Sequence, residues 1–179
     1  MMFPGTDDSH FSSWLFGFVF CVTASSIMSG AVAERCELTT HLVTTSLLSS
    51  LVYPVVHHWS WTPMGWLTVN GYHDWAGAGV VHHLGGVTGI VGAIFLGPRL
   101  GRFDSSVSGQ GIPGHSAALT ALGSFILMFG LLSFVAANNG SVTSQEDRDT
   151  VQRAVVNTII GGVSAGFTAI ISFRFEIVY

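Results

Sequence analysis

The chain contains no lysine; its six basic residues are all arginine, and only 9% of its residues are charged. Soluble domains average about 25% charged residues, so an ordinary water-soluble class is excluded. The formal net charge of −4 is small, and no cluster of basic residues offers a surface for nucleic acid. Cysteine is scarce too. Cys21 lies inside an apolar run and Cys36 beside charged residues at its end. Neither a disulfide framework nor a zinc-type Cys/His spacing results. Residues 1–10 carry Asp7 and Asp8 but no arginine, unlike the n-region of a secretory leader. An apolar run follows at once, and the expectation is that upstream sequence is missing.

What is present is apolar: 49% hydrophobic residues, with 22 glycines in 179 positions. A span needs about 20 apolar residues. Such runs lie at about 13–33, 38–56, 74–97, 117–137 and 154–173. The expected fold is all-α, a polytopic bundle of about five transmembrane helices, without a tandem repeat or a soluble domain. Pro54 is placed to kink the second span. Residues 57–66, with Trp59, Trp61 and Trp66, read as a loop at the membrane interface. Arg35, Arg99, Arg102 and Arg174 fall on one side, and Arg148 and Arg153 on the other. The arginine-rich side is expected in the cytoplasm.

The chain is organised around Asp74–Gly92. Asp74 stands where a helix N-cap belongs. His82 is eight positions on, about 12 Å deeper at roughly 1.5 Å per residue. His82, Gly85, Gly89 and Gly92 follow helical spacing, and Gly85-x-x-x-Gly89 lets membrane helices approach closely. The face carrying His82 is therefore expected to point into protein. An ionisable group at that depth suggests a functional site; the plainer alternative is a neutral histidine bonded to a neighbouring helix. On the outer side, Phe16 and Phe20 are one turn apart, Trp61 precedes the third span, and Asn138, Asn139 and Ser141 follow the fourth. Aromatic faces attract cations, and hydroxyl and amide oxygens accept hydrogen bonds. Packing against lipid, an interfacial belt and a simple cap remain open for the phenylalanines, Trp61 and Asp74 respectively.

Four stretches carry a resemblance. They are Ser29-Gly-Ala-Val-Ala-Glu-Arg35, Val52-Tyr-Pro-Val-Val-His57 with His58-Trp59-Ser60-Trp61, Asp74-Trp-Ala-Gly-Ala-Gly-Val-Val-His82, and Gly97-Pro-Arg-Leu-Gly-Arg-Phe-Asp104. With these the chain resembles the ammonium transporter family over residues 11–173, less than half of that family's domain. The resemblance implies a fragment of a fold with two inverted halves and about eleven spans, of which these match the third to seventh. It implies that Phe16 and Phe20 gate the outer mouth. Phe20, Trp61 and Ser141 would bind the ion, Asp74 would support that site, and His82 would be the first of two pore histidines. The second belongs to a span beyond this chain, and the adjacent His83 cannot replace it. The stretch from Phe129-Gly130 to Ser141 is three residues longer than the family pattern.

The implied activity is transport of ammonium, and of methylammonium as an analogue, by a non-enzymatic homotrimer in the plasma membrane, without a cofactor. The ion would be recruited outside and deprotonated, and ammonia would cross a hydrophobic pore along a histidine relay. Two alternatives stay open. One is a truncated, non-conducting product that only associates with full-length subunits. The other is a haem-binding electron-transfer subunit, prompted by eight histidines, of which only His82 and His83 lie deep in a span.

Overall fold

The computed structural model describes residues 8–103, 112 and 114–177. Asp7, the linker residues 104–111 and the side chain of Arg174 lie outside this description. The described residues are helical and turn structure. In order they form α1 (Asp8–Val32), α2 (Leu38–Leu47), a π segment (Leu48–Val52), α3 (Tyr53–Trp61), the short α4 (Trp66–Val69), a second π segment (Ala78–His83), α5 (Leu84–Leu96), α6 (Ala117–Ala137) and α7 (Gln145–Ile177). Two compact units divide the chain, residues 1–113 and 114–179.

Four described helical stretches are long and apolar enough to cross a membrane: Trp14–Val32, Ala78–Leu96, Ala117–Ala137 and Gln145–Ser172. The remaining expected span is built differently. Leu38–Trp61 is helical throughout, but α2, the π segment and α3 share it. Pro54 explains the interruption. It has no N–H to give to the carbonyl one turn back, and the turn before it widens to π winding. His57, His58 and Trp61, expected in a loop, therefore stand on α3.

In the first unit, α1 packs along the second π segment and α5. The glycine spacing sets how closely. A Cβ on Gly85 would come within 2.8 Å of the Ala24 carbonyl oxygen and of Ile27 Cβ. One on Gly89 would lie 3.0 Å from Ala31 Cβ, and one on Gly92 2.9 Å from Val32 Cγ1. The small-residue stripe thus brings two backbones together, as such stripes do in membranes. At one end, Arg35 donates to the Gly97 carbonyl at 3.2 Å, and Arg99 pairs with Glu34. The ends of α1 and α5 consequently share one face, as the expected topology requires.

In the second unit, α6 and α7 pack through a short turn. Ser116 caps α6 by accepting from Leu119 N–H at 3.3 Å. Phe125, Ile126, Leu127 and Phe129 are all exposed, which makes α6 apolar around its circumference. An all-round apolar helix suits a bilayer or a deep core. The first turns of α7 are polar, and Ser144 and Asp147 cap each other there: Ser144 Oγ accepts from Asp147 N–H at 3.0 Å, and Asp147 Oδ2 from Ser144 N–H at 3.2 Å.

Candidate cation site and pore histidine

Asp74 sits in the non-helical approach to the third span, where residues 74–77 precede the helix. Its side chain reaches forward over the helix start. Oδ1 accepts from the Gly77 and Ala78 N–H groups, and Oδ2 from those of Gly79 and Val80, each at 2.9 Å. The first N–H groups of a helix have no partner within it. Here one buried carboxylate, 7% exposed, serves four of them. The positive end of the helix dipole favours its charge. Gly77 makes the fold-back possible with φ of +86°, a region where a side chain is strained. Nearby, Tyr72 has its phenol pushed above the ordinary value by desolvation and then by the Asp74 carboxylate.

The Asp74 backbone carbonyl holds the aromatic group. Trp61 Nε1–H donates to it at 2.8 Å. Phe20 meets the Trp61 indole edge to face, with centroids 5.2 Å apart and planes at 85°. Phe16 lies 4.6 Å from Phe20 on the same stripe of α1. Phe20 is 2% exposed, so the pair is packed together in the first unit. Phe16, Phe20, Trp61 and Asp74 are thus assembled as one cluster. Its π faces can attract a cation, while the Asp74 carboxylate is already used by backbone donors.

His82 follows on the π segment, but it is exposed rather than packed against protein. This corrects the expectation that it shares the buried glycine face. The physical reason is the winding. An α-helix advances about 100° per residue, and a π turn advances less. The stripe therefore runs back from Gly85 to Val81, which is fully buried, and His82 swings to its flank. His82 Nδ1 lies 3.2 Å from the Gly77 carbonyl oxygen. In the tautomer that donates there, Nε2 is left as an acceptor.

Ser141 belongs to the second unit. Its hydroxyl donates to Asp147 Oδ2 at 2.9 Å and shares a 3.0 Å bond with Thr143 Oγ1. It is engaged in the turn that caps α7. Asn139 Nδ2 donates to the Ser141 carbonyl at 2.7 Å and to Asp147 Oδ1 at 3.3 Å.

Sequence reasoning missed His57. It stacks edge to face on Trp61 at 5.2 Å and lies 5.8 Å from Tyr53. The four-residue spacing of Tyr53, His57 and Trp61 was the available signal, since such positions meet on a helix.

Residues 3–176 match the family model described as Ammonium Transporter Family. A Caenorhabditis elegans protein named putative ammonium transporter 1 is 42% identical over 88% of this chain and 31% of its own length. The Arabidopsis thaliana ammonium transporter 1 member 2 is 35% identical over 96% of this chain and 37% of its own. Ammonium transporter 1 member 1 of Solanum lycopersicum is 37% identical, over 92% and 37%. The chain therefore spans about a third of the length of the curated relatives it matches. With its apolar helices it is a multi-pass membrane protein, and it belongs to the ammonium transporter family.

Proposed function

We propose that this segment carries the outer cation site and the first pore histidine of an ammonium conduit. The observation that supports this most is the Phe20–Trp61 pair, tied by Trp61 Nε1–H to Asp74 at the head of the helix that bears His82. An intact ammonium ion is costly to move into an apolar medium. The aromatic pair would select the cation at the mouth, and the ion would lose its proton there. Neutral ammonia would then cross the lumen, with His82 as one member of a proton relay. Ser141 enters this reading only through the family pattern, as do a homotrimer and the plasma membrane. In a longer, transporting protein that contains this segment, Trp61→Leu keeps apolar bulk but removes the indole. It is expected to weaken discrimination between methylammonium and neutral solutes. Uptake with unchanged selectivity and apparent affinity refutes the assignment of Trp61.

The limited share of the relatives' length favours a second reading: the chain alone does not conduct. Purified chain in liposomes is expected to give no ammonium-driven pH change above empty liposomes. A flux lost in His82→Ala would show that this segment suffices.

A further inference from the structure

The indole of Trp61 is held from three directions. Its N–H donates to the Asp74 carbonyl, Phe20 packs on it from α1, and His57 packs on it from its own helix. The first two belong to the site already described. His57 does not, and its ring is perpendicular to the indole, at 89° with centroids 5.2 Å apart. On its other side His57 lines a cleft of about 480 Å³ between α1 and α3, together with Trp14, Phe18, Cys21 and Tyr53. The imidazole is half-buried, with aromatic groups on both flanks.

A phenylalanine would supply the same edge-to-face contact. Histidine differs in that its ring can become a cation near neutral pH. A cation over the face of an indole, within about 6 Å of its centroid, is drawn to the ring; His57 is inside that distance, with its ring perpendicular to the indole. Protonated, it would hold the same π system that the outer site is to offer an incoming ion. The two positive charges would also repel each other in a poorly hydrated place.

We infer that His57 is a positioning residue for Trp61: its neutral imidazole fixes the indole, and its protonation takes the indole away from the transported cation. This rests on the reading of Trp61 as the cation site only for its consequence, since the coupling of His57 to Trp61 stands on geometry alone. Among the described residues, the titratable groups that line the cleft beside His57 are Tyr53 and His58 on α3 and Cys21 on α1. Asp74, across the indole, has its carboxylate occupied by four amides.

The test uses the 179-residue chain in detergent micelles with 15N-labelled tryptophan. Trp61→Phe identifies the Trp61 indole N–H resonance. Burial, and then the neighbouring His58, hold the His57 imidazole below its usual value, so on acidification to below the ordinary histidine range that resonance is expected to move in the parent and in His58→Gln. It is expected to stay fixed in His57→Phe and in His57→Gln, the second variant guarding against misfolding of the first. A resonance that ignores pH in the parent, or that still titrates in a folded His57 variant, overturns the inference. A transport measurement then separates the consequence. In a longer protein that transports, acid should raise the apparent KM for methylammonium in the parent and not in His57→Phe, with the maximal rate moving less. If the resonance titrates through His57 while KM follows pH identically in both proteins, the positioning stands and the cation-site reading fails.

Discussion

Removing one charge from Asp74 while keeping its shape gives the most demanding check of this architecture. In Asp74→Asn one oxygen remains to accept, and an NH2 group replaces the other. If the oxygen keeps Gly77 and Ala78, the NH2 faces the N–H groups of Gly79 and Val80, donor against donor. A hydrogen bond to a charged group contributes about 1.5–3 kcal/mol net, so losing two costs roughly 3–6 kcal/mol. An ordinary N-cap loss is typically about 1 kcal/mol. The carboxylate reading thus predicts an effect several times larger than the cap reading. For chains of this size about 2–4 °C of midpoint accompanies each kcal/mol, so the drop should be at least about 6 °C. Thermal unfolding of the purified chain, followed by circular dichroism, measures it. A local readout accompanies it: the loop reorganises, Trp61 loses the Asp74 carbonyl, and its fluorescence should shift to the red. A folded Asp74→Asn chain melting within about 2 °C of the parent, with unshifted Trp61 emission, refutes the reasoning.

Other expectations follow from the same packing. Gly85→Ala places a methyl 2.8 Å from the Ala24 carbonyl oxygen and should cost about 1–3 kcal/mol of stability, whereas Gly86→Ala, where nothing lies within 4 Å, should be tolerated; thermal unfolding of the two variants compares them. In intact cells, an impermeant thiol reagent should label Met64→Cys but not Arg102→Cys, because arginine bias puts position 102 inside; the opposite pattern reverses the topology. Asn139-Gly-Ser141 forms a glycosylation sequon, yet it should be unmodified, since it abuts α6 and its amide nitrogen already donates to Ser141 and Asp147. A glycosidase-sensitive gel shift that disappears in Asn139→Gln would contradict this.

Much of the fold was legible because membrane spans are written in composition. The glycine stripe of α5 was legible as well, since a missing Cβ and a three-or-four spacing state directly which face another backbone can approach. Asp74 could be read as a cap because its position before an apolar run allows little else. The number of amides it serves could not, as that depends on Gly77 turning through positive φ and on the wider winding that follows. The π segments were invisible for a related reason. Hydrophobic periodicity records faces, and one extra residue in a turn blurs a face without erasing it. His82 was consequently given the buried stripe that Val81 occupies. His57 was hidden by a boundary: a loop was expected where α3 continues to Trp61, and a helical spacing has no meaning in a loop. Ser141 was readable only by alignment, and its hydroxyl bonds to Asp147 and Thr143 arise from a turn whose geometry no periodicity encodes.

The spacing between Trp61, Asp74 and His82 gains a physical reason from the bonds that join them. Trp61 donates to the Asp74 carbonyl, and the Asp74 carboxylate fixes the amides of residues 77–80. The Gly77 carbonyl then accepts from the amides of Val81 and His82 at 2.9 Å and faces His82 Nδ1 at 3.2 Å. In an α-helix the His82 amide would turn to Ala78 and leave the Gly77 carbonyl to Val81 alone. The π turn is what gathers the histidine onto the peptide whose N–H the aspartate holds. The aromatic mouth and the histidine are therefore referred to one short backbone stretch instead of being positioned separately by distant packing. A loosened Asp74 should accordingly disturb both ends at once, in the Trp61 emission and in the His82 imidazole resonances. Phe20→Leu, acting from α1, should alter the indole and leave His82 where it is.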